Sequence, residues 1–358
     1  MDELTAVKKC EVCGNAELTS VLNLGSHPLC DDLVPVGDTR ECTAFPIEIL
    51  HCPVCVTAHQ RFQPPKSQLF PVEYHYRPRF TSDVIEGMAE LVGACESKIG
   101  SNLRDKVVLD IGCNDASLLG LFKKRGCKTI GVEPTGAYLD GMDQGHILFN
   151  SFFEERLATE ILSEYGSPDV ITFTNVFAHI ENLPELIGAL KVLISSKTLL
   201  VIENHYFGSV LDNFQFDTFY QEHLRTYSLT SFKHIAESLG ITLRDIEFPN
   251  RYGGNIRVFL RDAPLKKSVG SYDVELILRS ERKFGLRVSQ MQSRIDIWKK
   301  TMSARIHELT KKHGRLPAKA FPGRAAILIR LLDLDVDSIS AIYEKPGSMK
   351  IGPCIFQP

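Results

Sequence analysis

The sequence has no long apolar run, no block of like charge and no glycine-rich G-x-G-x-x-G turn. Each absence excludes something. No run reaches the roughly eighteen apolar residues of a membrane-spanning helix, so no membrane partner is expected. Lys and Arg number 41 against 44 Asp and Glu, a net charge of −3. That leaves no electrostatic footprint for nucleic acid or an anionic lipid surface. The missing glycines argue against a dinucleotide pyrophosphate lying over a helix N-terminus. The opening MDELTAVKKC lacks the apolar core of a secretory leader, so the ten cysteines are expected in a reducing cytoplasm. There they serve as thiols or metal ligands rather than disulfides. What remains is 358 residues of ordinary globular composition, 44% hydrophobic and 24% charged, enough for two or three domains.

The most informative stretch is KVVLDIGCNDASLLGLFKKRGCKTIGVEP, residues 106–134. Val107 to Leu109 reads as a buried strand. Asp110, Gly112 and Asn114 make a tight turn, and Leu118, Leu119 and Phe122 sit at helical spacing. Lys123, Lys124 and Arg125 suit the helix C-terminus, and Thr129 to Val132 is a second strand ending on Glu133. This is the first half of a doubly wound α/β sheet. Gly112 lets the backbone approach a ligand, Asn114 tolerates the left-handed conformation, and Glu133 stands where a carboxylate can accept both hydroxyls of an adenosine ribose. The turn is D-x-G-x-N-x-A, so a nucleoside ligand without phosphates fits better, namely S-adenosylmethionine. The alternative is a βαβ unit with an acidic loop and no ligand.

Before this unit stand two C-x-x-C knuckles, Cys10 with Cys13 and Cys52 with Cys55. Each presents two thiolates to one tetrahedral metal, which predicts a closed, structural zinc site in a small zinc-ribbon-like lobe with a long insertion. The competing reading is two exposed dithiols, a reactive liability. Cys30, Cys42, His51 and His59 are less favoured substitute ligands. Cys95, Cys113, Cys127 and Cys354 read as buried small apolar residues.

Tyr74-His75-Tyr76-Arg77-Pro78-Arg79 is either a plain packed linker or a lid with Tyr76 facing a ligand. Thr81 or Ser82 is expected to cap a helix with the stripe Val84, Met88, Leu91 and Val92. Asp169 to Phe173 and Thr198 to Glu203 read as buried strands. Asn175 and His179 follow the first of them, at the carboxyl edge where ligands bind. Residues 204–228, NHYFGSVLDNFQFDTFYQEHLRTYS, collect Asp212, Asp217, Tyr220, Glu222 and His223 among phenylalanines. That is either a water-poor pocket fit for acid–base work or a helix–loop hydrogen-bond network. Residues 274–309 read as a long helix or helix pair, AAILIRLLDLD as a further helix opened by Phe321 to Arg324, and Ser340 to Tyr343 as a strand.

Taken together these motifs resemble the nucleotide-sugar C-methyltransferase family, which adds a methyl branch to a 4-keto deoxysugar. The likeness spans nearly the whole chain: the cysteine pairs, LDIGCNDASLL, GVEP, NVFAHIEN, NFQFDTFYQEHL and the Tyr252 to Arg257 segment YGGNIR. It implies an α/β architecture of three domains: a zinc-binding domain (1–70), a Rossmann-like class I methyltransferase domain (71–265), and linker helices with a C-terminal α/β domain (266–358). It implies S-adenosylmethionine and structural zinc as cofactors and a nucleotide-linked ketosugar as partner. His223 would remove the C3 proton next to the ketone, and Tyr220 and Glu222 would orient the imidazole or bind sugar. Asp110, Gly112, Asn114, Glu133, Asn175 and His179 would hold the methyl donor. Tyr76, Arg225 and Arg257 would meet the substrate, the arginines through its diphosphate. Departures are Ala116 for a glycine, His205 for a proline, Tyr252 for a histidine, and an end at Pro358 short of the family's last strand and helix. An oxygen or nitrogen acceptor, an NAD-dependent sugar oxidoreductase and a non-catalytic zinc-stabilised binding module remain the alternatives.

Overall fold

The computed structural model describes residues 4–30, 32, 34–35, 40–262, 272–319, 324–344 and 353–354. The apolar run at 107–111 becomes the centre of a seven-stranded sheet. In spatial order the strands are Thr242–Glu247, Asn255–Arg261, Leu199–His205, Val170–Thr174, Val107–Ile111, Lys128–Val132 and Ile147–Phe149. Asn255–Arg261 alone among them runs antiparallel to its neighbours, and the others follow the doubly wound order. Val108, Leu109, Ile171, Phe173, Leu200 and Ile202 are fully or almost fully buried, as expected of strands covered on both faces. Helices Ser117–Lys124, Glu155–Tyr165 and Leu183–Leu193 connect the parallel strands. Chain order reverses between Val107–Ile111 and Val170–Thr174, so the ligand crevice is expected at their carboxyl ends.

Helix Ser82–Ile99 buries Val84, Met88, Leu91, Val92 and Cys95, the stripe read from spacing plus one residue. Thr81 holds the N-cap place, but its side chain makes no capping bond. Residues 274–313 form three helices, Val274–Glu281, Phe284–Ser289 and Met291–His313, where one or two were expected. Two parallel strands, Leu316–Lys319 and Ile339–Tyr343, flank helix Ala325–Leu332. Phe321 to Gly323, the side chain of Cys354 and the end at Pro358 lie outside the described residues.

The N-terminal lobe is a sheet of Thr19–Pro28, Ala44–His51 and Ala58–Gln60, and it takes its fourth strand, Arg225–Thr226, from the segment beyond the central sheet. Further bonds sew the two together. Gln60 donates its backbone N–H to the Leu224 carbonyl at 2.9 Å and its side-chain amide to the Tyr220 carbonyl at 3.1 Å. The Gln221 amide donates to the carbonyls of His27 and Phe45 at 2.8 and 3.3 Å.

Candidate active site

Four loops meet at the carboxyl edge of the sheet, and their geometry is set by unusual backbone. Gly112 has φ +72°, and a Cβ there would lie 2.5 Å from Val176, so only glycine lets this turn pass the neighbouring loop. Asn114, Ala116 and Asn175 adopt φ of +48°, +60° and +55°. Left-handed conformations at non-glycine residues cost free energy and cluster where geometry is over-determined, as at binding sites.

These loops line a cavity of about 750 Å³, within the range of small-molecule sites. Asp110, Gly112, Asn114, Glu133, Asn175, His179, Tyr76, Tyr220, Glu222 and His223 all border it. At one end Glu133 is fixed by three donors: Asn114 N–H at 2.9 Å to Oε2, and Thr135 N–H and hydroxyl at 2.9 and 2.6 Å to Oε1. Asp110 accepts from the Thr172 hydroxyl at 2.6 Å. Burial raises its carboxyl to about 7 against that bond's lowering effect, with nearby Glu133 adding to the rise. A buried, half-ionised carboxylate beside an acidic turn suits a cationic nucleoside such as S-adenosylmethionine, whose ribose Glu133 would hold. The Asn114 side chain donates to the Tyr76 carbonyl at 3.1 Å, which brings the Tyr74–Arg79 segment over the cavity.

At the other end is a cluster of rings. His223 stands 4.3 Å from Tyr220, 5.1 Å from His179 and 5.0 Å from His205, centroid to centroid. Its Nδ1 lies 3.0 Å from the Thr218 carbonyl. A carbonyl can only accept, so Nδ1 carries the proton and Nε2 keeps its lone pair. Burial, then the neighbouring His205, His179 and Arg324, hold the imidazole well below its usual value. Burial brings His179 down to about 4 and, with help from Arg324 and His179, His205 to about 3. All three rings are therefore neutral near pH 7. Glu222 accepts from the Tyr74 hydroxyl at 3.3 Å, and the Tyr76 and Tyr252 hydroxyls bond each other at 3.0 Å.

Two expected substrate contacts fail. Arg225 is buried and donates to the Glu11 carboxylate at 2.6 Å, the Tyr227 hydroxyl at 2.9 Å and the Ile180 carbonyl. Burial would raise the Glu11 carboxyl, but Arg225 and His59 pull it down to about 2. Arg257 is equally buried and pairs with Glu203 at 2.7 Å and Glu247 at 2.8 Å. Neither guanidinium borders the cavity, because each neutralises a carboxylate inside the fold, Glu203 fully buried and Glu11 partly. The cavity's cationic side chains are instead Lys66, Arg77 and Arg324. Arg324 reaches in from the C-terminal lobe and donates to the Thr218 hydroxyl at 2.8 Å. Its place at the start of an apolar helical run was visible in the sequence; its proximity to the His223 segment was not. His205 and Tyr252 also border the cavity, and they appeared in the sequence only as departures from a pattern.

The four knuckle cysteines converge as expected. Their Sγ atoms lie within 4.8 Å of one another, with Cys10 to Cys55 at 3.3 Å and Cys13 to Cys52 at 3.5 Å. Four thiolates so close, three of them buried, match the donor set and size of a tetrahedral zinc site, Cys10, Cys13, Cys52 and Cys55 being its ligands. No water-accessible fifth ligand is needed, so zinc there is structural. His59 Nε2 stands 3.3 Å from Cys10 Sγ, beside the cluster rather than in it.

Comparisons with known proteins agree with this geometry. Residues 75–246 match a family model described as a methyltransferase domain, and residues 10–70 one described as a zinc binding domain. The chain is 29% identical over 315 residues to the C-methyltransferase NovU of Streptomyces niveus, covering 87% of this chain and 74% of that protein. Among solved structures, the magnesium protoporphyrin IX methyltransferase ChlM of Synechocystis PCC 6803 with bound S-adenosylmethionine is 12% identical, covering 51% of this chain and 81% of that one at a TM-score of 0.37. The plantazolicin methyltransferase BpumL, in complex with a pentazolic desmethylPZN analogue and S-adenosylhomocysteine, is 13% identical over 52% of this chain and 87% of its own, at 0.41. Scores this low carry no argument about this chain. Family models, sheet order and cysteine cluster together show an S-adenosylmethionine-dependent methyltransferase domain joined to an N-terminal zinc-binding domain.

Proposed function

We propose that the acceptor is a nucleotide-linked 4-keto-deoxysugar and that methylation proceeds through its enolate. The ketone acidifies the hydrogen on C3. His223 Nε2 removes it, the electron pair moves onto the ketone oxygen, and the carbanion then attacks the donor's methyl group. That C–C bond forms as the methyl leaves sulfur, the ketone returns, and the proton passes from His223 to water. The observation that carries this reading is the Thr218 carbonyl on His223 Nδ1, which leaves a neutral, acceptor-ready Nε2 in the cavity that Asp110 and Glu133 also line. Tyr220 and Glu222 hold the acceptor and the ring, Tyr76 closes over them, and Asp110, Gly112, Asn114, Glu133, Asn175 and His179 receive the donor. Arg324 and Lys66 are the cations placed for a diphosphate. The reading divides the chain at about residues 70 and 265. In this reading the cysteines act as thiols or metal ligands, as in a reducing compartment such as the cytoplasm.

The test is a panel of nucleotide-linked 4-ketosugars deuterated at C3, incubated with S-adenosylmethionine. The expected product gains a methyl group and loses the C3 deuterium, and His223→Ala slows turnover by about 10²-fold or more. A methylated product that keeps the C3 deuterium would refute the enolate at C3.

A further inference from the structure

The ring cluster holds more chemistry than one base requires. His205 is the last residue of strand Leu199–His205, where Asn255 of the antiparallel neighbour pairs with it. Its Nε2 is buried and has no hydrogen-bond partner among the described residues. Burying a polar nitrogen without a partner costs free energy, and it persists in native proteins mainly where a ligand or water completes the bond. The ring lies between His223, at 5.0 Å, and Tyr252, at 5.7 Å.

Tyr252 is fixed by an unusual backbone. Tyr252, Gly253 and Gly254 adopt φ of +53°, +83° and +119° in succession, and the two glycines approach Gln215 and Ser209 too closely for a Cβ. A tyrosine in the left-handed region is strained. Here the strain sets the phenol against His205 while its hydroxyl meets Tyr76. One face of the His205 ring is thus packed, and the residue borders the same cavity as the base proposed above.

We propose that His205 is a second catalytic imidazole, which donates Nε2–H to the acceptor's ketone oxygen as that oxygen gains charge. The assignment rests on the enolate reading above. It requires no proton to leave His205: the C–H proton goes to His223, the electron pair to oxygen, and the hydrogen bond only strengthens. A neutral ring is the right donor. Its N–H dipole interacts more strongly with the oxygen as that oxygen gains charge, which lowers the barrier. Burial keeps His205 neutral.

Three variants decide the matter: His205→Phe, His205→Gln and His223→Asn. The probe is thymidine-diphosphate-4-keto-6-deoxyglucose. Two rates are measured, deuterium wash-in from D₂O next to the ketone with S-adenosylhomocysteine present, and methyl transfer. S-adenosylmethionine affinity by calorimetry reports whether the donor site is folded. The expectation is that His205→Phe lowers wash-in and kcat by about 10²-fold, the usual loss for one oxyanion donor, with acceptor KM and donor affinity little changed. His205→Gln, whose amide N–H can stand in for Nε2–H, should recover at least part of that loss. Wash-in at the wild-type rate in His205→Phe, or a raised KM with kcat intact, overturns the assignment and leaves the proposed reaction standing. A loss equal in Gln and Phe, with donor binding intact, also overturns it. Wash-in that survives in His223→Asn overturns the proposed reaction, and this assignment with it.

Discussion

At the scale of single residues, the site is governed by groups whose charge folding has suppressed. Asp110 titrates near 7 in the folded chain and near 4 when unfolded. Between those values the folded state holds a proton the unfolded state has lost, so this residue's contribution to stability falls as pH rises from about 4 to about 7. S-adenosylmethionine brings an ammonium and a sulfonium, which favour the ionised carboxylate. Donor binding is therefore expected to strengthen as pH rises through about 7, with proton release on binding below it, and Asp110→Asn should flatten that dependence. Calorimetry in buffers of different ionisation enthalpy reads it, and a pH-independent affinity in the wild type would count against the carboxylate's role. The buried histidines act in the opposite sense. With folded values of about 4 for His179 and about 3 for His205, and His223 also held well below its usual value, their contribution is complete above about 6.5 and lost as pH falls below it. Three such rings outweigh one carboxyl, so the melting temperature should drop between pH 7 and pH 5. A flat thermal-shift profile over that range would contradict the burial of these rings.

At the scale of elements, two carboxylates hold pieces together that no local pattern connects. Glu281 is fully buried at the end of helix Val274–Glu281. It accepts from the Tyr206 hydroxyl at 2.9 Å, from the N–H groups of Leu229 and Thr230 at 2.7 and 2.8 Å and from the Thr230 hydroxyl at 2.6 Å. A carboxylate on the first turn of helix Leu229–Leu239 meets free N–H groups and the positive end of the dipole. Glu281→Ala should cost about 3 kcal/mol or more, since four donors lose their partner at once; an unfolding midpoint shifted by less than a fifth of that would contradict the account. Glu203, two residues before the end of its strand, neutralises Arg251 and Arg257 together. These links explain what could be read in advance. The 106–134 unit was legible because its strands, turn and helix are settled within thirty residues by periodicity and by conformations only a few residues tolerate. Arg225 and Arg257 were not, because what they bind is decided by Glu11 and Glu203, which are remote along the chain and close only after folding. The strand Arg225–Thr226 was not, because two residues carry no period. The cysteine knuckles were legible through spacing alone, since metal geometry fixes it.

At the scale of the whole molecule, the zinc lobe and the proposed base, His223, are one mechanical assembly. Tyr220, Gln221, Leu224 and Arg225 are hydrogen-bonded to or paired with the N-terminal lobe, and His223 sits among them. Thr57, two residues past Cys55, bonds Ser231 of the following helix at 2.8 Å. The donor pocket is built differently: Asp110, Gly112, Asn114 and Glu133 come from the central sheet and its first turn. Losing the metal should therefore separate the two halves of the reaction. Structural zinc contributes directly to folding free energy, so Cys10→Ser or chelation should lower the melting temperature. In the fraction that stays folded, the Tyr220–Thr226 segment loses the sheet that positions it, and methyl transfer should fall by about 10²-fold, as for a displaced base. S-adenosylmethionine affinity should stay within about twofold of the intact enzyme, because Asp110, Gly112, Asn114 and Glu133 do not rest on the lobe and, of its expected partners, His179 touches it through a stack on Phe70. Metal content by mass spectrometry, donor calorimetry and turnover on one preparation test all three. Donor affinity and turnover falling together would mean that the lobe supports the whole fold. Unchanged turnover in zinc-free protein would mean that the central sheet holds His223 without it.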